Sequence, residues 1–150
     1  VARARRFRAR PSWRPSSLPT QNRRTGGPVP FVAASFNVPS DKAALDAALE
    51  GLVRVDVVQL RRKPRPALYA SRVRYQRDRG ETWDSADVVY QRGWGDCEDL
   101  ASIRAAELRL RGIRARAVVR ASRTPGVAWH CVVLLPNGKY EDPSLRLGMV

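Results

Sequence analysis

Apolar residues recur at helical spacing from residue 40 onward. Ser40 and Asp41 form an N-cap, and one helical face then carries Ala44, Leu45, Ala48, Leu49, Leu52 and Val53. We predict that this helix runs to about Leu60 and is ended by Pro64 and Pro66, because proline cannot donate a helical hydrogen bond. The pattern indicates that a folded domain begins near residue 41.

The next stretch of the domain is less regular. Residues 68–77 predict a strand or an extended segment, one face of which would carry Tyr69, Val73 and Tyr75. Residues 78–81 predict a turn. A short helix is then expected over residues 86–91, with Asp84 or Ser85 as its cap.

A glycine-rich turn precedes a second long helix. Gly93 and Gly95 bracket Trp94, so the backbone there can bend tightly and approach a ligand closely. The helix is predicted to begin near Cys97, and Gly112 stands where a C′ glycine belongs. Its apolar face carries Cys97, Leu100, Ala101, Ala105 and Leu108.

The remaining segments alternate as β-strands do. We predict a half-buried strand over residues 113–121, with arginines outward and a core-facing set of Ile113, Ala115, Ala117 and Val119. A nearly continuous apolar run predicts a central strand over residues 127–135. Asn137 and Gly138 indicate a hairpin that leads to a short strand over residues 139–142. Helices followed by an antiparallel β-meander predict an α+β fold with the helices packed on one sheet face.

Charge separates the first 40 residues from the rest of the chain. The 150 residues carry a net charge of +14, and residues 1–40 contain eight arginines, no lysine and no acidic residue. This segment is also rich in proline and predicts an extended N-terminal arm, followed by one domain over residues 41–150. The arm suits contacts with neighbouring protein subunits or with nucleic-acid phosphates, and a solvated tail is the alternative.

Two cysteines, Cys97 and Cys131, are too few for a disulfide framework and suit a reducing compartment. No apolar run reaches the roughly 20 residues that span a bilayer, and no signal-peptide core follows the basic start. We therefore expect a protein that is neither secreted by a signal peptide nor bound to a membrane.

Candidate chemistry centres on a thiol at a helix N-terminus. The helix dipole favours the thiolate of Cys97, whereas neighbouring acids oppose it, so the sign of its pKa shift stays open. His130, the single histidine, lies in the apolar strand, and Asp142 ends the next strand. A cysteine nucleophile needs a base, and the base needs a group that orients it. The alternative is a buried cysteine and a hydrogen-bonded core histidine.

These residues occur in motifs that resemble the transglutaminase-like branch of the papain-like cysteine peptidase superfamily. The resemblance rests on residues 95–101 with their Gly-Asp-Cys start, on 108–116, on 129–133 and on Glu141-Asp142-Pro143-Ser144. It implies a papain-like or transglutaminase-like core in which Cys97 is the nucleophile, His130 the general base and acid, and Asp142 the orienting residue. No cofactor is implied.

The likeness extends to small transglutaminase-like proteins encoded among tailed-phage structural genes, which share the Glu-Asp-Pro-Ser ending followed by Leu147-Gly148-Met149. This likeness implies a location in the virion, or in the bacterial cytoplasm during assembly, with other virion proteins as partners. Acidic clusters like the calcium sites of large transglutaminases are missing from the sequence. Hydrolysis of a peptide or amide substrate, or no activity, is therefore expected in preference to protein cross-linking.

The sequence does not decide which groups would donate hydrogen bonds to an oxyanion. The Cys97 backbone N–H, the Gln91 amide and the Trp94 indole are candidates, although Gln91 suits an exposed helix end equally well. Cys131 follows His130 and is expected to point to the opposite sheet face as a core residue, so a zinc site that joins it to Cys97 and His130 is not expected. Two functions remain: a thiol amide hydrolase or acyl transferase, and a non-catalytic assembly module of a phage head, connector or tail.

Overall fold

A computed structural model describes residues 41–80 and 82–150, and the predicted arm at residues 1–40 lies outside the described residues. Within the described part, helices and strands follow in this order: α1 Lys42–Arg62, β1 Arg74–Tyr75, α2 Ala86–Arg92, β2 Trp94–Gly95, α3 Cys97–Leu110, β3 Arg116–Ala121, β4 Trp129–Leu134, β5 Tyr140–Glu141 and α4 Pro143–Arg146. This mixture of helices and strands confirms the predicted α+β class. Among the same residues, no helix is long and apolar enough to cross a membrane.

Helix α1 forms where the apolar periodicity predicted it. The Asp41 carboxylate accepts a hydrogen bond from the Ala43 N–H at 2.9 Å, which caps the first turn. The helix ends at Arg62, two residues before Pro64. Its buried stripe contains Leu45, Leu49, Leu52, Val53 and Leu60, whereas the predicted stripe member Ala44 is exposed. Ala44 lies outside the arc that faces the core, because successive helical residues are rotated by about 100°.

The meander forms an antiparallel sheet of order β3-β4-β5, as predicted. Helices α1 and α3 both pack against it, over the face formed by Ala117, Val119, Cys131 and Val133. The hairpin after β4 closes with the Gly138 N–H donating to the Leu135 carbonyl at 3.0 Å. Ile113 was expected in the core but is 39% exposed, because β3 begins only at Arg116 and Ile113 belongs to the preceding turn.

Only part of the predicted extended segment over residues 68–77 is a strand. Leu68–Ala70 forms a 3-10 turn, a departure from the prediction, because the buried Leu68 donates its N–H to the Glu107 carboxylate at 2.5 Å. Strand β1 follows and pairs with β2 in a parallel ladder that joins Tyr75 to Gly95. This second sheet was not predicted, since its partners are distant in sequence. It fixes the segment that directly precedes α3.

Residues of α1 cap helix α2. Ser85 occupies the N-cap position but its hydroxyl accepts a hydrogen bond from the Gln59 amide at 3.0 Å, and no side chain from residue 84 or 85 caps the helix. The Asp56 carboxylate accepts instead from the Ala86 N–H at 2.7 Å, and the Gln59 amide oxygen from the Asp87 N–H at 2.8 Å. The prediction of Ser85 as the N-cap position is confirmed, but its side chain does not cap the helix, because Asp56 and Gln59 of α1 accept from these N–H groups.

The same Asp56 carboxylate also binds α3. Its second oxygen accepts a hydrogen bond from the Ser102 hydroxyl at 2.5 Å, and the side chain is fully buried. Burial raises the pKa of Asp56 to about 7, against the opposing effect of its hydrogen bonds with Ser102 and Ala86. One buried acid thus joins three helices beneath the site.

Arg92, in the last turn of α2, organises the turn that leads to α3. Its guanidinium binds Asp84, contacts Asp99 at 2.6 Å and donates from Nε to the Trp94 carbonyl at 2.7 Å. It also lies over the Trp94 ring, 3.7 Å from the ring centre. Asp99 is fully buried, so this ion pair is shielded from water.

The two glycines of the turn are required for different reasons. Gly93 has φ 84°, a left-handed conformation that other residues adopt at a cost. A Cβ on Gly95 would lie 3.1 Å from the Asp99 Cβ. The predicted tight bend is present, and Gly95 approaches the helix that carries Cys97. The predicted approach to a ligand stays a prediction.

We predict that Asp56→Ala lowers the free energy of unfolding by about 2–4 kcal/mol, because it leaves buried donors on Ala86 and Ser102 without acceptors. Urea denaturation measures the change. Arg54→Ala is the matched control in the same helix: it removes only an exposed pair with Glu50 and should cost less than about 1 kcal/mol. Equal effects of the two substitutions would contradict the capping role of Asp56.

We predict that Arg92→Ala lowers the free energy of unfolding by about 3–5 kcal/mol, since it leaves the buried Asp99 carboxylate unpaired. Arg92→Lys should recover only part of that loss, because a lysine cannot bind two carboxylates and a carbonyl with one planar fork. Urea denaturation of both variants tests this. Full recovery by lysine would show that charge alone, without the fork geometry, holds the turn.

Candidate functional site

Cys97 is the first residue of α3, at the point where the turn held by Arg92 enters the helix. Asp96 before it has extended backbone angles, with φ −95° and ψ −165°, which is usual for an N-cap residue. The Cys97 side chain is half-buried. Its backbone N–H is among the helix donors that have no partner within the helix.

Asp142 and His130 lie where the meander ends. The two side chains meet with His130 Nε2 2.8 Å from Asp142 Oδ2. The other carboxylate oxygen of Asp142 caps α4 by accepting from the Ser144 N–H at 3.0 Å and from the Leu145 N–H at 3.2 Å. The aspartate is therefore fixed by the helix start on one side and orients the imidazole on the other. Helix α4 itself was not predicted.

His130 lies close enough to Cys97 for each residue to shift the pKa of the other. Hydrogen bonds from the Cys131 thiol and from His130 lower the pKa of Cys97 to about 4, although burial opposes them. The bond to Cys97 raises the pKa of His130 to about 9, with a further contribution from Asp142 and opposition from burial. Between these values the pair is a thiolate and an imidazolium. Since Asp142 occupies Nε2, the nitrogen left for Cys97 is Nδ1.

Cys131 is a neighbour of Cys97 that sequence reasoning misplaced. It is buried, 4% exposed, as expected for a core cysteine, but it does not point away from the site. Its sulfur lies within 4.8 Å of the Cys97 sulfur, and its thiol and backbone N–H both lower the pKa of Cys97. Strand β5 ends at Glu141, which pairs with Val133 of β4. Because β5 does not extend alongside residue 131, the start of α3 can lie at that edge of β4. The alternation of side chains along β4 could not reveal this edge.

Glu98 also contacts the sulfur. Its Oε2 lies 3.2 Å from Cys97 Sγ, and the residue is buried. Burial, with the negative charge of Cys97, raises the pKa of Glu98 well above its ordinary value. The Cys97 thiol donates to this oxygen, and the contact with Glu98 is among the causes that lower the pKa of Cys97. Sequence reasoning treated Glu98 only as an acid that opposes ionisation of the thiol, because a neutral, buried carboxyl cannot be recognised from charge alone.

Tyr75 lies at the opposite side of the site, on β1. Burial raises the pKa of its phenol, and the negative charge of Cys97 contributes to the same shift. Its position follows from the ladder with β2, which sets Tyr75 opposite Gly95. The sequence predicted a face shared with Tyr69 and Val73 and no link to the thiol.

A second polar network holds the strand next to Asp142. Glu141 accepts a hydrogen bond from the Tyr69 hydroxyl and binds Arg104 Nε at 2.6 Å. The guanidinium of Arg104 lies 4.7 Å from the Tyr69 ring centre, and that of Arg146 lies 4.0 Å from it. These contacts join β5 to α3 and α4. They hold the chain directly before Asp142, and the start of α4 holds the chain directly after it.

The two predicted side-chain oxyanion donors are placed differently. Gln91 is exposed in the last full turn of α2. Trp94 is half-buried two residues before the N-cap of α3, and its ring stacks on Arg92. Their roles, and that of the Cys97 backbone N–H, stay predictions. The structure thus brings Cys97, His130 and Asp142 together and leaves Gln91 at the surface.

One set of potential metal ligands lies in the described residues. The ligand atoms of Cys97, Glu98 and Cys131 are all within 4.8 Å of one another. Cys131 was expected to point to the sheet face opposite His130, away from the site, but its sulfur lies beside that of Cys97. Hydrogen bonds among the three side chains already account for their closeness, and we assign no metal to them.

Comparison with known families gives an independent view of this geometry. The model of the transglutaminase-like superfamily core matches residues 65–139, half of the chain. The matched segment contains both Cys97 and His130 and ends three residues before Asp142. Comparisons with curated proteins and with solved structures gave no match. The model thus covers both the helix that begins at Cys97 and the strand that bears His130. On this match, the chain belongs to the transglutaminase-like superfamily.

Proposed function

We propose that the protein is a thiol-dependent acyl-transfer enzyme that cleaves a peptide or amide bond. The observation that carries this proposal is His130, which lies 2.8 Å from Asp142 on one nitrogen and whose pKa is raised by the neighbouring Cys97. Such an arrangement provides a nucleophile, a proton carrier and an orienting group within contact distance. Membership of the superfamily supports the same class of chemistry.

Acylation begins from the thiolate. The Cys97 sulfur attacks the substrate carbonyl carbon and forms a tetrahedral intermediate, whose oxyanion needs preorganised donors. The His130 imidazolium gives its proton to the leaving amine as the C–N bond breaks, and Cys97 is left as a thioester. Asp142 stabilises the imidazolium and keeps the ring orientation throughout this step.

Deacylation reverses the role of the histidine. Neutral His130 takes a proton from a water molecule, whose oxygen attacks the thioester carbonyl. Collapse of the second intermediate expels the Cys97 thiolate and restores the ion pair. An amine in place of water would give acyl transfer. Water is our choice, since the sequence offers no acidic clusters of the kind used by calcium-dependent cross-linking enzymes.

Three groups are proposed as oxyanion donors. The Cys97 backbone N–H is preferred, because it belongs to the residue that attacks and lies at the free end of a helix. The Trp94 indole N–H is the second choice, since its turn is fixed by Arg92. Gln91 is the least favoured because its side chain is exposed on α2.

The second candidate function is an assembly role in a tailed-phage particle. It is favoured by the arginine-rich and proline-rich segment over residues 1–40, which suits contacts with neighbouring virion proteins or with nucleic acid. A virion-associated enzyme would combine the two roles. Location in the particle, and the choice between protein and nucleic acid, are proposals that rest on the sequence.

The ionised thiol gives a test that needs no substrate. We predict that iodoacetamide alkylates Cys97 with an apparent pKa of about 4, far below the ~8.5 of a free thiol, because the donors around the sulfur favour the thiolate. Lowering the pH through 4 should protonate the sulfur and suppress alkylation. Stopped aliquots analysed by mass spectrometry give the rate at each pH.

Two variants control this measurement. Cys97→Ala should lose the fast phase of alkylation, which shows that the buried Cys131 does not produce it. His130→Ala should raise the apparent pKa, since the thiolate loses a positively charged donor. A pKa near 8.5 that His130→Ala leaves unchanged would favour the assembly role over catalysis.

We predict that Asp142→Asn slows acylation of Cys97 at least about tenfold, because the imidazolium loses its negatively charged partner and its orientation. Acetylation by p-nitrophenyl acetate, followed by release of nitrophenolate, measures the rate. The asparagine oxygen can still cap α4, so urea denaturation should show little change. Unaltered acylation in a folded variant would remove Asp142 from the mechanism.

A further inference from the structure

The chain's two cysteines meet at the site although 33 residues separate them in sequence. Their sulfur atoms lie within 4.8 Å of each other, one at the start of α3 and the other on β4. We propose that a hydroperoxide oxidises Cys97 and that Cys131 resolves the product as a reversible intramolecular disulfide. This inference goes beyond the proposed acyl transfer and does not depend on it, because it concerns the state of the thiols.

The approach that a disulfide needs is short. A disulfide requires the sulfurs to be about 2.05 Å apart and the two Cα atoms roughly 4.4–6.8 Å apart. The two sulfurs lie within 4.8 Å of each other, so an approach of about 3 Å or less would form the bond. Cys97 occupies the first position of α3, and Cys131 lies on β4. The backbone N–H of Cys131 is among the causes that lower the pKa of Cys97, which agrees with this closeness.

Oxidation begins at the more accessible and more nucleophilic sulfur. Cys97 is half-buried and its pKa is lowered to about 4, whereas Cys131 is 4% exposed and its pKa is raised. The Cys97 thiolate attacks one oxygen of the hydroperoxide, the O–O bond breaks, and the sulfur becomes a sulfenic acid. With hydrogen peroxide the departing hydroxide takes up a proton and leaves as water. The peroxide is reduced by two electrons and the sulfur is oxidised by two.

The second step closes the disulfide. The Cys131 sulfur attacks the Cys97 sulfur, the S–O bond breaks, and the hydroxyl group leaves as water with the proton of the Cys131 thiol. Hydrogen bonding to the Cys97 thiolate, and its charge, contribute to the raised pKa of Cys131. Both contributions end once Cys97 carries a neutral sulfenic acid, so oxidation of the first sulfur activates the second.

The expected consequence is a protected resting state. A disulfide removes the Cys97 sulfur from acyl transfer but spares it from oxidation to sulfinic acid, which thiols cannot reverse. A dithiol reductant returns both cysteines to their free forms by thiol–disulfide exchange. The pair would thus switch the site off under oxidation and allow full recovery.

The test uses the full chain in the presence of a metal chelator. The protein is exposed to hydrogen peroxide at a concentration equal to its own. The remaining free thiols are then alkylated with N-ethylmaleimide under denaturing conditions, and the mass of the protein is measured by mass spectrometry. We expect both free thiols to be lost while the mass of the protein shows no added oxygen atom. The protein should remain a monomer on a non-reducing gel, and dithiothreitol should restore both thiols. Peptide mapping should locate a peptide that joins residues 97 and 131.

Two substitutions give matched controls. Cys131→Ser keeps a hydrogen-bond donor beside Cys97 but cannot close the disulfide, so its Cys97 should be trapped by dimedone as a sulfenic acid and then proceed to sulfinic acid. Cys97→Ala should leave Cys131 unoxidised under the same conditions. Circular dichroism identifies any variant that fails to fold, and the wild-type result is decisive in that case.

Three results would overturn the proposal. The first is that Cys97 of the wild type accumulates as sulfinic acid while Cys131 stays free. The second is that the disulfide forms only between chains, and the third is that dimedone labels the wild type and Cys131→Ser equally. A wild-type protein that forms the disulfide but fails to acetylate with p-nitrophenyl acetate would support this inference and contradict the acyl-transfer proposal. The two are therefore separable.

Discussion

The ion pair between Arg92 and Asp99 is the constraint on which the site depends. Asp99 is fully buried in the first turn of α3, and the guanidinium that satisfies it also binds Asp84 and the Trp94 carbonyl. A single side chain thereby fixes the angle at which the chain leaves α2 and enters α3. Because Cys97 lies between these anchors, its position depends on a buried carboxyl group that Arg92 and the Asp84 N–H satisfy together.

The second feature of the site is that its polar groups have more than one role. Asp142 caps α4 with one oxygen and orients His130 with the other. Its neighbour Glu141 is held by Tyr69 and Arg104, which joins the end of the meander to α3. A rotation of Asp142 would therefore cost the helix its cap as well as the imidazole its partner. Such shared use gives the geometry a rigidity that a lone hydrogen bond would not provide.

The environment of the sulfur shows how tertiary contacts decide a question that the sequence left open. At the sequence level the helix dipole favours the Cys97 thiolate and the acidic neighbours oppose it. In the fold, Cys131 and His130 of β4 lower the pKa of Cys97 against the effect of burial. The outcome is a thiolate whose stabilisation comes from hydrogen bonds that residues distant in sequence provide. The closeness of Cys131 also links the nucleophile to redox chemistry.

Local signals were enough for the sequence to determine the major elements and the members of the Cys97–His130–Asp142 group. Periods of 3.6 and 2 residues mark α1, α3 and the meander, and a glycine turn marks the start of α3, because these patterns arise from contacts within a few residues. The tertiary structure alone decided the capping of α2 by Asp56, the β1–β2 ladder and the meeting of Cys97 with Cys131. Each of these depends on burial or on contacts between segments distant in the chain, and neither periodicity nor spacing encodes such contacts.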